Sequence, residues 1–183
     1  MAMLEQRIQQ QFFDSADLQY QTAESLARPI AEAVAAVVGA ITAGGKIMLC
    51  GQDGGEALAA HVVSAFVGRF ERERPPLAAL SLRPEPRELQ ALGLPGDLLI
   101  LLDPAARSTE ATLAMVRAAH GKDMSVVMIA GQDAGALRET LSETDVLIAV
   151  PHERMARVLE THLLVLHALC DAVDMQLMGE QDL

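Results

Sequence analysis

Hydrophobic residues follow two different spacings along this chain. Near the N-terminus, apolar side chains recur at three- or four-residue steps over residues 4–27, which is the spacing of one face of an α-helix. Further along, short runs of consecutive apolar residues alternate with stretches of helical spacing. Runs that are apolar at every position indicate strands buried on both faces of a parallel sheet. The pattern therefore predicts an α/β fold.

The apolar runs predict five strands separated by helices. The strands are expected at 46–50, 77–82, 98–102, 124–130 and 146–150. The helices that follow them are expected from a glycine-rich loop to about residue 68, and at 83–93, 108–120, 132–141 and 153–178. This alternation indicates a doubly wound, three-layer αβα sandwich with a five-stranded parallel sheet.

Helical segments flank the sheet at both ends of the chain. Pro29 fits the first turn of a helix, so the segment before the first strand predicts two helices, the second of which ends at Gly44. The last helix is apolar on most sides, and a stripe of that width predicts burial between subunits. Residues 1–183 contain no repeat or linker and are expected to form a single domain, with a helical pair at 1–43 and the sandwich at 44–183.

Composition and charge narrow the classes of function. The formal charge of −11 and a pI near 4.8 argue against nucleic acid as a direct partner. Because the N-terminus has no signal-peptide pattern and no uncharged apolar run reaches about 18 residues, the sequence predicts a cytoplasmic protein without a membrane span. Cys50 and Cys170 lie in apolar runs and are expected to be buried thiols rather than a disulfide.

Four stretches of the chain carry a resemblance to a known family. They are GGKIMLCG at 44–51, RFERERP at 69–75, LGLPGDLL at 92–99 and ARVLETHLLVLHALCD at 156–171. Through them the chain resembles the SIS (sugar isomerase) domain family over almost its whole length, in the branch that holds phosphoheptose isomerases and the DnaA initiator-associating protein DiaA. The RFERERP and HALCDAVD stretches are closer to DiaA, and the 82–92 region is shorter than in the family. The resemblance implies a flavodoxin-like sandwich, a homotetramer packed through its long helices, and a sugar-phosphate pocket at the carboxyl ends of the strands.

The first phosphate-binding element of the family is a glycine-rich loop that ends in serine, after the first strand. Here the loop reads GQDGGE, so Gly54 and Gly55 remain while Glu56 stands at the serine position. An ionised carboxylate cannot donate a hydrogen bond, and Glu56 and Asp53 would each repel a phosphate by about 1–4 kcal/mol. The alternative interpretation is that Glu56 serves the N-terminus of the following helix, where a negative charge is favourable.

The second phosphate-binding element implied by the resemblance is a serine- and threonine-rich loop, which aligns with DPAARS at 103–108. Only the hydroxyl of Ser108 remains there, and it is alternatively expected to cap the next helix. Pro104 removes a backbone donor and Asp103 adds an anion, whereas Arg107 is suited to bind phosphate. If the pocket takes a ligand, the candidate residues are Gly54, Gly55, Glu56, Arg107 and Ser108.

The catalytic and metal-binding residues of the isomerases are a His and a Glu four residues apart on one helix, and a Gln and a His eight residues apart on the last helix. Here His61 and His167 remain, but Ala65 replaces the carboxylate and Leu159 replaces the amide. Two imidazoles are fewer than the three protein ligands of catalytic zinc sites, so the sequence predicts neither zinc nor another cofactor. His61 and His167 are therefore interpreted as relics of a catalytic site, and as the metal ligands if there are any.

Loss of these groups favours a non-catalytic function. The leading hypothesis is a tetrameric scaffold resembling DiaA, which binds a protein partner such as the replication initiator DnaA. Apolar residues at 175–179 are expected in the tetramer core or in a partner-binding patch. The alternatives are a phosphoheptose isomerase acting on sedoheptulose 7-phosphate, a sugar-phosphate-binding protein, or a degenerate paralogue in mixed tetramers. Glu160 and His162 are a further pair of candidate metal ligands on the last helix.

Overall fold

Helices and strands alternate along the chain, as the apolar pattern predicts. The computed structural model describes residues 1–132 and 134–179. The strands are β1 (Ile47–Gly51), β2 (Ala79–Leu82), β3 (Leu98–Asp103), β4 (Ser125–Ala130) and β5 (Val146–Ala149). The helices are α1 (Ala2–Thr42), α2 (Gly55–Val67), α3 (Pro86–Leu92), α4 (Glu110–His120), α5 (Gly135–Thr140) and α6 (Met155–Met178).

The five strands pair in parallel, in the order β2-β1-β3-β4-β5. The chain moves outward in one direction from β1 to β2 and in the other direction from β3 to β5, so a crevice opens between the carboxyl ends of β1 and β3. This confirms the α/β, flavodoxin-like three-layer sandwich. Ligands of open parallel sheets bind in such a crevice, which directs attention to the loops after Gly51 and Asp103.

Alternate residues of the central strands enter two separate apolar layers. Ile47, Leu49 and Ile100 point to the side covered by α1, α2 and α6. Met48 and Leu99 point to the side covered by α3, α4 and α5. Because both faces are covered, every residue of β1 and β3 is buried, and this explains why these strands read as continuous apolar runs.

The segment before β1 is one helix of 41 residues, so the predicted pair of N-terminal helices is wrong. Pro29 lies inside α1 instead of starting a second helix. Leu26 and Ala33, on either side of Pro29, are buried in the same apolar layer, so packing holds the helix together across a residue that removes one of its hydrogen bonds. Tertiary contacts here outweigh a local signal for a break.

Helix α1 also contains an 18-residue window with a mean hydropathy of 1.4. By length and composition this window is sufficient to cross a membrane, in contrast to the sequence-based expectation of no such segment. Within the chain 28% of this window is buried, and the core helix of a soluble protein passes the same test of length and composition. The window is therefore weak evidence for a membrane span.

Candidate functional site

The glycine-rich loop after β1 turns the chain directly into α2. A Cβ atom on Gly51 would lie 2.2 Å from the backbone carbon of Gly55, and one on Gly55 would lie 2.9 Å from the Cβ of Leu102. Only glycines allow the start of α2 to approach β1 and β3 this closely. Gly54 precedes the helix with φ of 94°, a left-handed conformation that glycine adopts without strain. The loop thus keeps the backbone shape of a phosphate-binding cradle.

Three N–H groups of this cradle are hydrogen-bonded within the chain. Gly54 N–H donates to Oε2 of Glu56 at 2.9 Å, Gly55 N–H donates to the Gln52 carbonyl at 2.8 Å, and Gln52 N–H donates to the Leu102 carbonyl at 3.1 Å. The carboxylate of Glu56 therefore takes a donor that a bound phosphate would use. Its position at the start of α2 agrees with the interpretation that Glu56 serves the helix N-terminus.

The loop after β3 is organised around a buried carboxylate. Asp103 is fully buried and accepts hydrogen bonds from the N–H groups of Arg107 at 3.3 Å and Ser108 at 3.2 Å. The Ser108 hydroxyl donates to the carbonyl of Ala134 at 3.0 Å, so it is engaged within the protein. The cap of α4 is Thr109, whose hydroxyl accepts from Thr112 N–H, and the expectation that Ser108 caps this helix is wrong.

Two side chains connect the loop after β1 with the loop after β3. Arg107 Nε lies 3.4 Å from Asp53 Oδ2, and the Arg107 side chain is 65% exposed. Gln52 accepts a hydrogen bond from the Thr109 hydroxyl at 3.3 Å, while its Nε2 is buried and has no partner among the residues that the structure describes. Sequence reasoning did not single out Gln52, because a lone Gln beside a glycine-rich loop carries no distinctive signal.

A polar cavity of about 560 Å³ opens beside the loop after β3. It is lined by Pro104, Ala105, Ala106, Arg107, Gly131, Gln132, His152, Glu153 and Met155. His152 follows the end of β5, and its Nδ1 accepts a hydrogen bond from Arg154 N–H at 2.9 Å. Sequence reasoning missed this histidine, because the strand order that brings it to the same cavity as Arg107 is known only from the fold.

The structure brings the predicted residues His61 and His167 together. Helices α2 and α6 lie side by side, and the two Nε2 atoms are 2.8 Å apart. Phe70 packs against His167, with ring centroids 5.2 Å apart. His61 lies seven residues along α2 from Gly54, which is about 10 Å at the rise of an α-helix. The imidazole pair therefore lies at a distance from the cradle, further along the same two helices.

Electrostatics favour a neutral His167. Partial burial and the neighbouring His61 both lower the pKa of His167, and the carboxylate of Glu71 opposes them. In a hydrogen bond between two neutral imidazoles, one Nε2 carries the proton and the other accepts it. A neutral pair of this kind is a competent acceptor of a proton from a substrate.

The residues around the imidazole pair do not fit the zinc site that the resemblance implies. Ala65 is buried and has no ligating atom, and Leu159 packs its methyl groups near Gly54. Across residues 1–132 and 134–179, no group of three or more His, Cys, Asp or Glu side chains is placed to hold a metal ion. One protomer thus supplies two of the three protein ligands that a catalytic zinc ion needs.

The other proposed ligands of the last helix point elsewhere. Glu160 accepts a hydrogen bond from the Ser15 hydroxyl at 2.8 Å and pairs with Arg157. His162 is fully buried, with its Nε2 3.1 Å from the Ala130 carbonyl, and burial lowers the pKa of His162 to about 4. The hypothesis that these two residues join the imidazole pair is therefore wrong.

The two cysteines are buried, and so is an ion pair that joins the two stretches that are closer to DiaA. Cys50 and Cys170 are free and buried, as expected, and burial raises the pKa of each thiol to about 12. Arg74 of the RFERERP stretch is buried and forms an ion pair with Asp174 of the HALCDAVD stretch. The Arg74 guanidinium also donates to the Ala65 and Phe66 carbonyls. These two stretches therefore contact each other inside the fold.

Comparison with known proteins gives a consistent result. The family model of the SIS domain matches residues 11–94. A phosphoheptose isomerase of Methylibium petroleiphilum is 52% identical over the full length of both chains. A phosphoheptose isomerase of Aromatoleum aromaticum is 38% identical over 96% of this chain and 97% of its own.

Solved structures of the same name have the same fold. A phosphoheptose isomerase from Francisella tularensis superposes with a TM-score of 0.87 at 30% identity, covering 96% of this chain and all of that one. The phosphoheptose isomerase from Neisseria gonorrhoeae gives a TM-score of 0.84 at 30% identity, over 93% and 98% of the two chains. These relatives overturn the hypothesis of a non-catalytic, DiaA-like scaffold, because full-length similarity of this degree is to enzymes.

Proposed function

Because the chain belongs to the SIS domain family, in its phosphoheptose isomerase branch, we propose that it is a phosphoheptose isomerase acting on sedoheptulose 7-phosphate. The observation that carries the proposal is the hydrogen-bonded pair of His61 and His167, at 2.8 Å, in a chain 52% identical to a relative of that name. The pair supplies the proton-transfer group that this class of reaction requires. This proposal replaces the hypothesis, made from the sequence, that the missing groups abolish catalysis.

Isomerisation of a ketose to an aldose moves one proton between neighbouring carbons. A base removes a proton from C1, the electrons form an enediolate with C2, and the C2 oxygen gains a proton. The proton is then returned to C2 while the C1 hydroxyl loses its proton and becomes the aldehyde. The enzyme must therefore offer both a proton acceptor and a proton donor close to the two carbons.

The imidazole pair can perform both roles. When both rings are neutral, the ring that donates through Nε2 has a free lone pair on Nδ1, and the ring that accepts carries a proton on its Nδ1. The first Nδ1 takes up a proton, a proton crosses the Nε2–Nε2 hydrogen bond, and the second Nδ1 releases a proton. The pair has the same charge before and after these three steps. The lowered pKa of His167 favours the neutral form of that ring.

Deuterium incorporation tests this chemistry. The protein is incubated with sedoheptulose 7-phosphate in deuterium oxide, and the product is examined by NMR. Because His61 is exposed, a proton held by the pair exchanges with solvent, so we expect deuterium at C2 of the aldose product. Sedoheptulose without the phosphate is the control and should be converted more slowly. Absence of any conversion of the phosphorylated sugar would contradict the proposal.

The assembly and location of the protein also remain proposals. An apolar groove of about 860 Å³ runs between α1 and α6 and is lined by Leu26, Ile30, Val34, Leu164 and Met175, among others. A contiguous apolar groove left open along two helices is typical of an interface, and we propose that it is covered by further copies of the chain in a homotetramer. Light scattering coupled to size-exclusion chromatography would find the mass of a monomer if this is wrong. The expected location is the cytoplasm.

A further inference from the structure

One buried histidine of α6 takes no part in the proton transfer. His162 is fully buried, and its Nε2 lies 3.1 Å from the carbonyl oxygen of Ala130, the last residue of β4. Burial lowers the pKa of His162 to about 4, so the ring is neutral near pH 7. Because a carbonyl can only accept, the proton of the neutral ring must be on Nε2. The hydrogen bond is therefore donated from α6 to the sheet.

The second nitrogen of this ring argues against a purely stabilising role. Nδ1 of His162 is buried and has no hydrogen-bond partner among residues 1–132 and 134–179. A buried acceptor without a partner costs free energy, which offsets what the bond from Nε2 contributes. An apolar side chain of similar size would fill the same volume without that cost. A role in placing α6 accounts better for an imidazole at this position.

The bond to Ala130 is the one side-chain hydrogen bond that joins α6 to a strand in the part of the chain that the structure describes. The other polar side chains of α6 contact α1, α2, the helix itself or the segment between α2 and β2. Apolar packing is non-directional, so it holds α6 on the sheet without fixing its position along its own axis. A hydrogen bond has a narrow range of lengths and angles and does fix that position.

Two neighbours of His162 on α6 reach the candidate site. Leu159 places its methyl carbons 3.3 and 3.4 Å from the position of a Cβ on Gly54. His167, five residues after His162, is hydrogen-bonded to His61 of α2. Five residues span about 7.5 Å of helix, so a displacement of α6 at His162 is carried directly to His167. The Nε2–Nε2 bond of the imidazole pair is therefore sensitive to where α6 lies on the sheet.

We infer that His162 is a positioning residue, whose hydrogen bond to Ala130 fixes α6 against the end of β4. Held in this way, His167 stays in line with His61. This inference rests on the proposed function. Because His162 is fully buried, it does not touch the reacting atoms, and it acts on the rate through the geometry of the imidazole pair. A misplacement of about 1 Å in such a site costs about 100-fold in rate.

Steady-state kinetics with sedoheptulose 7-phosphate test the inference. His162→Phe keeps a ring of similar size without a donor, and should lower kcat by roughly 10- to 100-fold while KM changes by less than about threefold. His162→Gln places an amide N–H near the position of Nε2 and should recover much of kcat. His162→Asn is too short to reach Ala130 and should not. Val173→Ala opens a cavity beside the same helix, and should lower the melting temperature but leave kcat unchanged.

Proton–nitrogen correlation NMR spectra of the histidine rings separate the inference from the proposed function. In the wild type we expect the proton of His162 on Nε2, and one donating and one accepting Nε2 in the pair of His61 and His167. Loss of this pair pattern in His162→Phe and His162→Asn, with its retention in His162→Gln and Val173→Ala, supports the inference even if the wild type does not turn over the sugar.

Two results would overturn the inference. The first is a wild-type His162 that carries its proton on Nδ1, and this measurement needs no variant. The second is wild-type kcat together with an unchanged pair pattern in His162→Phe, or in His162→Asn if the Phe variant does not fold. In either case an active wild type would leave the proposed function standing.

Discussion

Arg74 and Asp174 form an ion pair in which each side chain is only 1% exposed. Arg74→Met would leave the Asp174 carboxylate buried without its partner, so we expect the free energy of unfolding to fall by about 3–5 kcal/mol. Urea denaturation measures this change. Arg28→Met, in the exposed Arg28–Glu32 pair, is the matched control and should have little effect because water screens that pair. Equal losses of unfolding free energy in the two variants would show that the buried pair contributes no more to stability than the exposed pair.

Asp97 gives the stability of the protein a defined dependence on pH. Burial by itself would raise the pKa of Asp97, but hydrogen bonds from Lys46 Nζ, Lys46 N–H and Leu94 N–H outweigh it, and the pKa is lowered. A carboxyl group whose pKa is lower in the folded state stabilises the fold above its unfolded pKa of about 3.9. This stabilisation is lost as the pH falls through the lower, folded pKa.

Unfolding titrations between neutral and acidic pH test this contribution. Asp97→Asn should lower stability at neutral pH by about 1–3 kcal/mol, because the Lys46 ammonium and two N–H groups lose an anionic acceptor. The difference between the variant and the wild type should shrink as the pH falls below about 4. A difference in stability between the two proteins that stays constant with pH would contradict a lowered pKa of Asp97 in the folded state.

Single residues were predicted from the sequence only where their chemistry is local. The burial of Cys50 followed from the apolar run around it, and the position of Glu56 at a helix start followed from the loop before it. His152 was missed because Arg107, which lines the same cavity, is distant in sequence. Ser108 was mistaken for a helix cap because the cap lies one residue later, at Thr109, and one-residue boundaries depend on backbone angles.

The approach of α2 to the sheet depends on glycine at the end of β1. A Cβ on Gly51 would lie 2.2 Å from Gly55, so Gly51→Ala should displace the start of α2, lower stability and reduce turnover. Gly121→Ala is the matched control, since Gly121 has a φ of −65° that alanine adopts readily and its nearest contact is 3.3 Å away. Thermal denaturation and kinetic assays on both variants check this. Wild-type stability in Gly51→Ala would contradict the close packing.

Strands were easier to predict than helix boundaries. β1 and β3 are buried at every residue, and because both faces of these strands are covered, they appear in the sequence as continuous apolar runs. α1 was divided wrongly because Pro29 is a local signal for a break, whereas the contacts of Leu26 and Ala33 that keep the helix whole come from elsewhere in the chain. Local signals fail where packing opposes them.

At the scale of the whole molecule, the fold was predicted correctly and the function was not. Glu56, Ala65 and Leu159 stand where the family has a hydroxyl, a carboxylate and an amide, and these changes, with the altered loop at 103–108, suggested a lost activity. The relatives are similar along the entire chain and bear the name of an enzyme, which outweighs a judgement from a few site positions. The fold then reveals what the sequence could not, that His61 and His167 are hydrogen-bonded to each other.

The proposed function requires His61 and His167 to act as one unit. The most direct test is kcat with sedoheptulose 7-phosphate for the wild type, His61→Gln, His167→Gln and the double variant, with His120→Gln as control. His120 is paired with Asp145 at the opposite ends of the strands. We predict turnover by the wild type and the control, and a loss of about 10²- to 10⁴-fold in each single variant. The double variant should be no worse than the single ones, because the residues act as a unit. An inactive wild type, or single variants that keep wild-type kcat, would contradict the role of this imidazole pair in catalysis.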